Sequence, residues 1–283
     1  MSTKLLSKSV NVSKRAFYYR RNNAPFLSGD AFADNVDLQV YPPIFRKKIP
    51  SMKTVALAEI IFCPSQKINE FFSDYGRYIN AKILIFGNGD EEFRSFDHQI
   101  PKSVKRIYLQ NLMFTDELFR LLPIGIENIR LIRNGFPKNF ANSNEEKKHR
   151  VLVGPYSNTH QIRSEINALK FSDDRIEKQT VFLEPHDYAK KSVKFKFIAA
   201  PRGNGVDTHR FWEALYLGSV PIVEKSEWSN NLASLDIDYE VLDSWCEENL
   251  KEILERRDNC KVNNKTSSDL WLPNWIEKFK SDL

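Results

Sequence analysis

The sequence predicts an α/β protein built as two Rossmann-like domains facing a cleft. Three features carry that expectation. Short apolar runs bounded by turn residues alternate with helically spaced segments, the pattern of a parallel sheet with crossover helices. A polar stretch at 139–149, reading Asn-Phe-Ala-Asn-Ser-Asn-Glu-Glu-Lys-Lys-His, interrupts the alternation and has the composition of a linker. Beyond it the alternation restarts. The expected division is therefore a first domain at 1–138, a linker at 139–149 and a second domain at 150–283, and 283 residues are enough for two cores.

In the first half, the apolar runs at 55–62 and 83–86 read as buried strands, and 106–109 and 129–132 as weaker ones. Residues 67–79 and 116–122 have helical spacing. In the second half, 150–153, 180–183, 195–200, 219–223 and 239–242 read as strands. Helices are expected at 161–169, 186–191, 208–217 and 247–257. Ligands of open α/β sheets bind outside the carboxyl ends of the strands, which points to the loop after Ala200.

Composition excludes several classes. With 41% hydrophobic and 12% aromatic residues the chain can fill packed interiors, so disorder is not expected. No run of 18 apolar residues is present, and residues 1–21 are basic without an apolar signal core, so a cytoplasmic location is expected. Cys63, Cys246 and Cys260 lie far apart, with no spacing suited to a disulfide framework or zinc. The net charge of +5 favours acidic partners. Its excess lies early, in Lys4, Lys8, Lys14, Arg15, Arg20, Arg21 and Arg46-Lys47-Lys48, a distribution compatible with peripheral contact at an anionic membrane face. No nucleic-acid reader motif accompanies it, so nucleic acid is not an expected partner.

The chemistry concentrates in Pro201-Arg-Gly-Asn-Gly-Val-Asp-Thr-His-Arg-Phe-Trp-Glu213. A buried strand ends at Pro201, and Gly203 and Gly205 permit a tight turn and close approach of a ligand. A helix then opens at Val206, Asp207 or Thr208, and its first-turn N–H groups have no internal acceptor, which makes an anion site. Arg202 in the loop and Arg210 in the helix suit phosphate, and Glu213 shares the Arg210 face and can accept ribose hydroxyl protons. Asn204 and His209 border the same site. The plainer reading is a capped helix with an exposed Arg210–Glu213 pair.

Residues 201–223, with Asp-Thr-His-Arg-x-Trp-Glu-Ala-Leu-x-x-Gly-Ser-x-Pro-Ile-Val after the glycine loop, resemble the donor-domain signature of exostosin-like glycosyltransferases. Leu122-Pro-Ile-Gly-Ile-Glu-Asn128 and Asn88-Gly-Asp90 resemble upstream segments of bacterial members. The resemblance implies a GT-B enzyme transferring a sugar from a UDP-sugar to a glycan or lipid-linked glycan hydroxyl, as in polysaccharide biosynthesis. It further implies inversion, no metal and no cofactor beyond the nucleotide sugar. Glu213 would meet the donor ribose and Arg210 the diphosphate. The chain departs from the pattern in being short and in carrying Gly87 where relatives have a histidine. An inverting enzyme needs a base on the acceptor side; the candidates are Asp90, which leaves the carboxyl end of a strand, and Glu127, which enters one, and the former placement is favoured. An inactive relative that binds a glycan or partner shares the same signature.

Other signals carry less. Asp236-Ile-Asp238 precedes a strand and so does not suit the Asp-x-Asp metal role. His98, His149, His160, His186 and His209 have no metal-ligand spacing. Ser28-Gly-Asp30, near Phe32 and Asp34, reads as an ordinary turn, and no Gly-x-Ser-x-Gly elbow supports nucleophilic hydrolysis.

Overall fold

The computed structural model describes residues 17–18, 21–43, 50–140, 145–258 and 267–283. Most of the basic residues expected at the N-terminus, and Cys260, lie outside the described residues.

Two five-stranded parallel sheets form the frame. The first runs β1 (Leu38–Gln39), β2 (Ile60–Pro64), β3 (Ile83–Gly87), β4 (Arg106–Leu109) and β5 (Phe119–Leu121) in chain order. β2 and β3 are buried along their whole length, which is why they read as unbroken apolar runs rather than as alternations. In the second sheet β6 (Lys148–Val153), β7 (Ile176–Lys178), β8 (Phe195–Ala199), β9 (Val220–Glu224) and β10 (Glu240–Leu242) lie in the order β10-β9-β8-β6-β7. Read from β7, this is the 2-1-3-4-5 order of a doubly wound sheet, with its switch point between β6 and β8.

Helices flank the sheets: α1 (Gly29–Ala33), α2 (Met52–Leu57) and α3 (Ile68–Tyr75) in the first unit. The second holds α4 (Gln161–Ala168), α5 (Pro185–Ser192), α6 (His209–Tyr216), α7 (Glu227–Asn231) and α8 (Glu247–Arg256). α6 buries Phe211, Trp212, Ala214, Leu215 and Tyr216 while its Arg210–Glu213 face stays half-buried.

Several expectations change. The run at 55–62 is divided, because α2 ends at Leu57 before β2 begins. Residues 116–122 do not form a helix: Phe119–Leu121 is a strand, paired in parallel with β4 and alternating buried, exposed, buried. Residues 129–132 form a single 3-10 turn ending with Ile132 in the left-handed region, not a strand. The apolar residues 180–183 are not β7 either; β7 closes at Lys178, and Val181, Phe182 and Leu183 stand exposed in the loop after it.

The C-terminus does not stay with the second sheet. α9 (Leu272–Ser281) returns to the first unit, where Trp275 and Phe279 pack on Phe32 and Tyr108. Asp282 accepts hydrogen bonds from Arg106 Nε at 3.2 Å and Tyr108 Oη at 2.7 Å. The Tyr216 hydroxyl donates to the Leu270 carbonyl at 2.6 Å and accepts from the Leu27 amide at 2.9 Å, tying α6 to both segments. One apolar cluster therefore runs from the first sheet through α6 and α9, and the expected assignment of all of 150–283 to the second domain does not describe this return.

Candidate active site

A cavity of about 610 Å³ lies between the two units. Its walls come from the segments after β3 and β5 on one side and after β6, β7 and β8 on the other, so it opens at strand carboxyl ends and at the switch point. Asp90, Glu127, Gly203, Asn204, Gly205, Asp207, Thr208, His209, Arg210 and Glu213 all line it. Arg202, expected in the same donor set, is not among the lining residues.

Arg202 is engaged elsewhere. Its guanidinium pairs with Glu92 of the first unit, and its amide donates to Glu224 Oε2 at 3.3 Å. Arg163 stands in its place. On α4, it donates from Nε to the Arg202 carbonyl at 2.8 Å, from Nη2 to the Pro201 carbonyl at 3.1 Å, and from Nη1 to Thr159 Oγ1 at 3.1 Å. A Cβ on Gly203 would come within 3.0 Å of Arg163 Nη2, so that glycine admits the arginine. At Gly205 a Cβ would meet Asn111 Oδ1 at 2.8 Å and the Asp90 carbonyl at 3.1 Å, so its space is filled by the facing unit.

Arg210 lies over Tyr188 and Tyr156, 4.6 and 5.0 Å from the ring centroids, and donates from Nη1 to the Pro155 carbonyl at 3.1 Å. Burial alone would lower its guanidinium, but Tyr188, Tyr156 and Glu213 hold it above the ordinary value. Arg163 also faces Tyr156, at 5.8 Å, and burial together with the Arg210 charge pushes its guanidinium down. The hydrogen bonds of both arginines go to carbonyl and hydroxyl oxygens, which leaves two like charges at one tyrosine without a carboxylate bond between them.

Thr208 is the N-cap of α6, yet its side chain makes no cap hydrogen bond. Its hydroxyl is buried at the cavity wall without a hydrogen-bond partner among the described residues, in a residue 8% exposed. Asp207 lines the cavity with both carboxylate oxygens already engaged. Its Oδ2 accepts from the Ile124 amide and its Oδ1 from Trp212 Nε1, both at 2.7 Å, which makes it a strut between the units. Burial pushes its carboxyl up to about 7. The Asp207 amide in turn donates to Asn111 Oδ1 at 2.9 Å.

Burial also raises the Glu213 carboxyl; His209 and Arg210 oppose that shift and Glu127 adds to it. The charges of His209 on the same helix and of Glu127 on the facing unit are thus both felt at Glu213. The His209 Nδ1 lies 2.8 Å from the Gly125 carbonyl of the first unit. Glu127 lines the cavity and its Oε2 accepts from the Asn134 amide at 2.8 Å, while Oε1 accepts from none of the described residues. Asp90 Oδ2 instead accepts from Asn204 Nδ2 at 3.1 Å across the cleft.

Outside the cavity, Asp30 is fully buried and bonded to Arg130 Nε at 2.7 Å and Asn88 Nδ2 at 3.3 Å, a structural network. Asp238 pairs with Arg257. Among the described residues no group of three or more His, Cys, Asp or Glu could hold a metal ion, and no helix is long and apolar enough to cross a membrane.

The fold is thus α/β, two units each built on a five-stranded parallel sheet, with the cavity between them. No protein-family model and no curated protein sequence matches the chain. It is similar to the crystal structure of an alpha1,3-fucosyltransferase, at 13% identity and a TM-score of 0.40, over 80% of this chain and 77% of that one. That likeness is too distant to bear on activity, and the exostosin-like resemblance stands on its motif residues alone.

Proposed function

We propose that this chain is a glycosyltransferase that moves a sugar from a nucleotide-sugar donor to a hydroxyl acceptor. The observation that carries this reading is the cationic corner of the cavity. Arg163 and Arg210 share Tyr156 there, beside the first turn of α6 and the unpartnered Thr208 hydroxyl. Two guanidiniums without carboxylate bonds, next to a helix N-terminus, suit a diphosphate. Glu213, one turn into α6, would accept hydrogen bonds from the donor's ribose hydroxyls. The charge that builds on the departing diphosphate in an oxocarbenium-like transition state is stabilised at this corner.

Glu127 is the base in this scheme. Its Oε1 is open and its orientation fixed by Asn134, whereas Asp90 is held by Asn204. A base on the wall facing the diphosphate corresponds to inversion at the anomeric carbon. Because arginines and a helix terminus match the phosphate charge, the scheme needs no divalent ion. The motif resemblance supports a UDP-sugar as donor and a glycan or lipid-linked glycan as acceptor.

A nucleotide sugar at about 100 times its dissociation constant should stabilise the fold by roughly 2.7 kcal/mol, read as a rise in melting temperature. Arg210→Ala and Glu213→Ala should each remove most of that rise. If UDP-, GDP- and ADP-sugars all leave the melting curve unchanged, the reading fails. Binding without any donor hydrolysis would identify an inactive relative.

A further inference from the structure

We propose that His209 is the proton donor to the departing diphosphate, and that donor binding draws a proton onto its ring. This inference rests on the donor reading above and adds a catalytic residue to it. His209 is the first residue of α6 and lines the cavity at the end where the phosphates would lie. Its Nδ1 sits 2.8 Å from the Gly125 carbonyl oxygen, which can only accept, so Nδ1 carries hydrogen whether the ring is neutral or charged. The other nitrogen, Nε2, makes no hydrogen bond to the described residues, and the residue lines the cavity. In a neutral ring it holds a lone pair, and a phosphate oxygen opposite it would set acceptor against acceptor. A proton on Nε2 converts that opposition into a charge-assisted hydrogen bond.

A second feature of the same helix end points to an anionic ligand. The Thr208 hydroxyl, buried at the cavity wall, has no partner and is free to donate to a phosphate oxygen. The charged groups that share the cavity with His209 are Asp90, Glu127 and Arg133 from the first unit and Arg163 from α4. Asp207, Arg210 and Glu213 complete the set from its own segment. Both Arg163 and Arg210 lie over Tyr156 in this cavity, and a bound diphosphate would balance their charge. Gly125 is two residues before Glu127, so the His209 contact also brings the proposed acid and the proposed base to one place.

The step balances. The bond from the anomeric carbon to the β-phosphate oxygen breaks and its electron pair stays on that oxygen, which takes the Nε2 proton. The acceptor hydroxyl oxygen forms the new bond to carbon, and its proton passes to Glu127 Oε1. Glu127 then releases one proton to water and His209 regains one.

Calorimetric titration with UDP-glucose and GDP-mannose, in buffers of different ionisation enthalpy at mildly alkaline pH, tests the proposal. The diphosphate of a nucleotide sugar is esterified at both ends and does not titrate near neutrality, so any proton uptake belongs to the protein. Wild type should take up about half a proton or more per site. His209→Gln should still bind within about tenfold but without uptake, and its turnover should fall about 10²–10⁴-fold. Binding by wild type without uptake, or uptake unchanged in His209→Gln, overturns the proposal and leaves the donor reading standing. Failure of both nucleotide sugars to bind removes the donor reading and this proposal together. If His209→Gln melts early, ring ¹⁵N spectra of wild type decide instead: a second ring N–H on His209 with UDP-glucose supports the proposal, and its absence refutes it.

Discussion

Replacing Arg163 with lysine separates the geometry of the glycine loop from its charge. The arginine holds the carbonyls of Pro201 and Arg202 and the Thr159 hydroxyl with three nitrogens of one planar group. A lysine ammonium on a flexible stem cannot satisfy that fork and would keep about one of the three bonds. Two charge-assisted bonds in a half-exposed setting, at the lower end of their range, amount to about 3 kcal/mol. For a chain of this size each kcal/mol shifts the midpoint by about 2 °C, so Arg163→Lys should melt about 6 °C lower. The freed carbonyls can then turn toward the site, and affinity for a nucleotide sugar should fall at least tenfold, about 1.4 kcal/mol, although the positive charge is retained. Scanning calorimetry with and without nucleotide sugar reads both effects. A variant that melts with wild type and binds as tightly would refute the claim that Arg163 organises this loop.

Glu127→Gln should lower turnover about 10²–10⁴-fold while nucleotide affinity changes little, and Asp90→Asn should cost less than tenfold; the reverse ranking, in steady-state assays, would exchange their roles. Burial pushes the Asp207 carboxyl up to about 7 from an ordinary 3.8, so the folded state should hold a proton that the unfolded state has lost across that window. The stability that Asp207 contributes is therefore present below about pH 4 and is lost as pH rises toward 7, by up to about 4 kcal/mol. Denaturant titrations of Asp207→Asn should lack this slope, and an unchanged slope would assign it elsewhere. Chelator should leave turnover within about twofold, well under the 1.4 kcal/mol of a tenfold change; complete loss, restored by manganese, would rule out the arginine-based scheme.

The glycine loop and α6 were legible because their signals are local. A buried strand, two glycines and an amphipathic run with Arg210 and Glu213 on one face follow one another within 20 residues of chain. The same locality explains the errors. Residues 116–122 have helical spacing, but β4 offers Phe119–Leu121 a parallel partner, and pairing outweighs spacing. Residues 180–183 are apolar enough for a strand, yet the exposed loop beside the cavity is where they stand.

What the sequence determined by itself is the alternation of strands and helices, its interruption near residue 140, and the loop that opens α6. Those follow from periodicity and from backbone groups that a helix start leaves unpaired, both properties of neighbouring residues. Tertiary structure alone decided which charges serve the cavity. Arg202 carries the motif position but meets Glu92, 110 residues away, while Arg163 reaches the loop from 39 residues upstream. Tyr156 and Tyr188 became the bed of Arg210, and Asp207 a strut to Ile124, through contacts between strand ends. Such partnerships depend on how two sheets pack and on where α9 crosses back, and no spacing along the chain encodes the distance between side chains that only folding brings together.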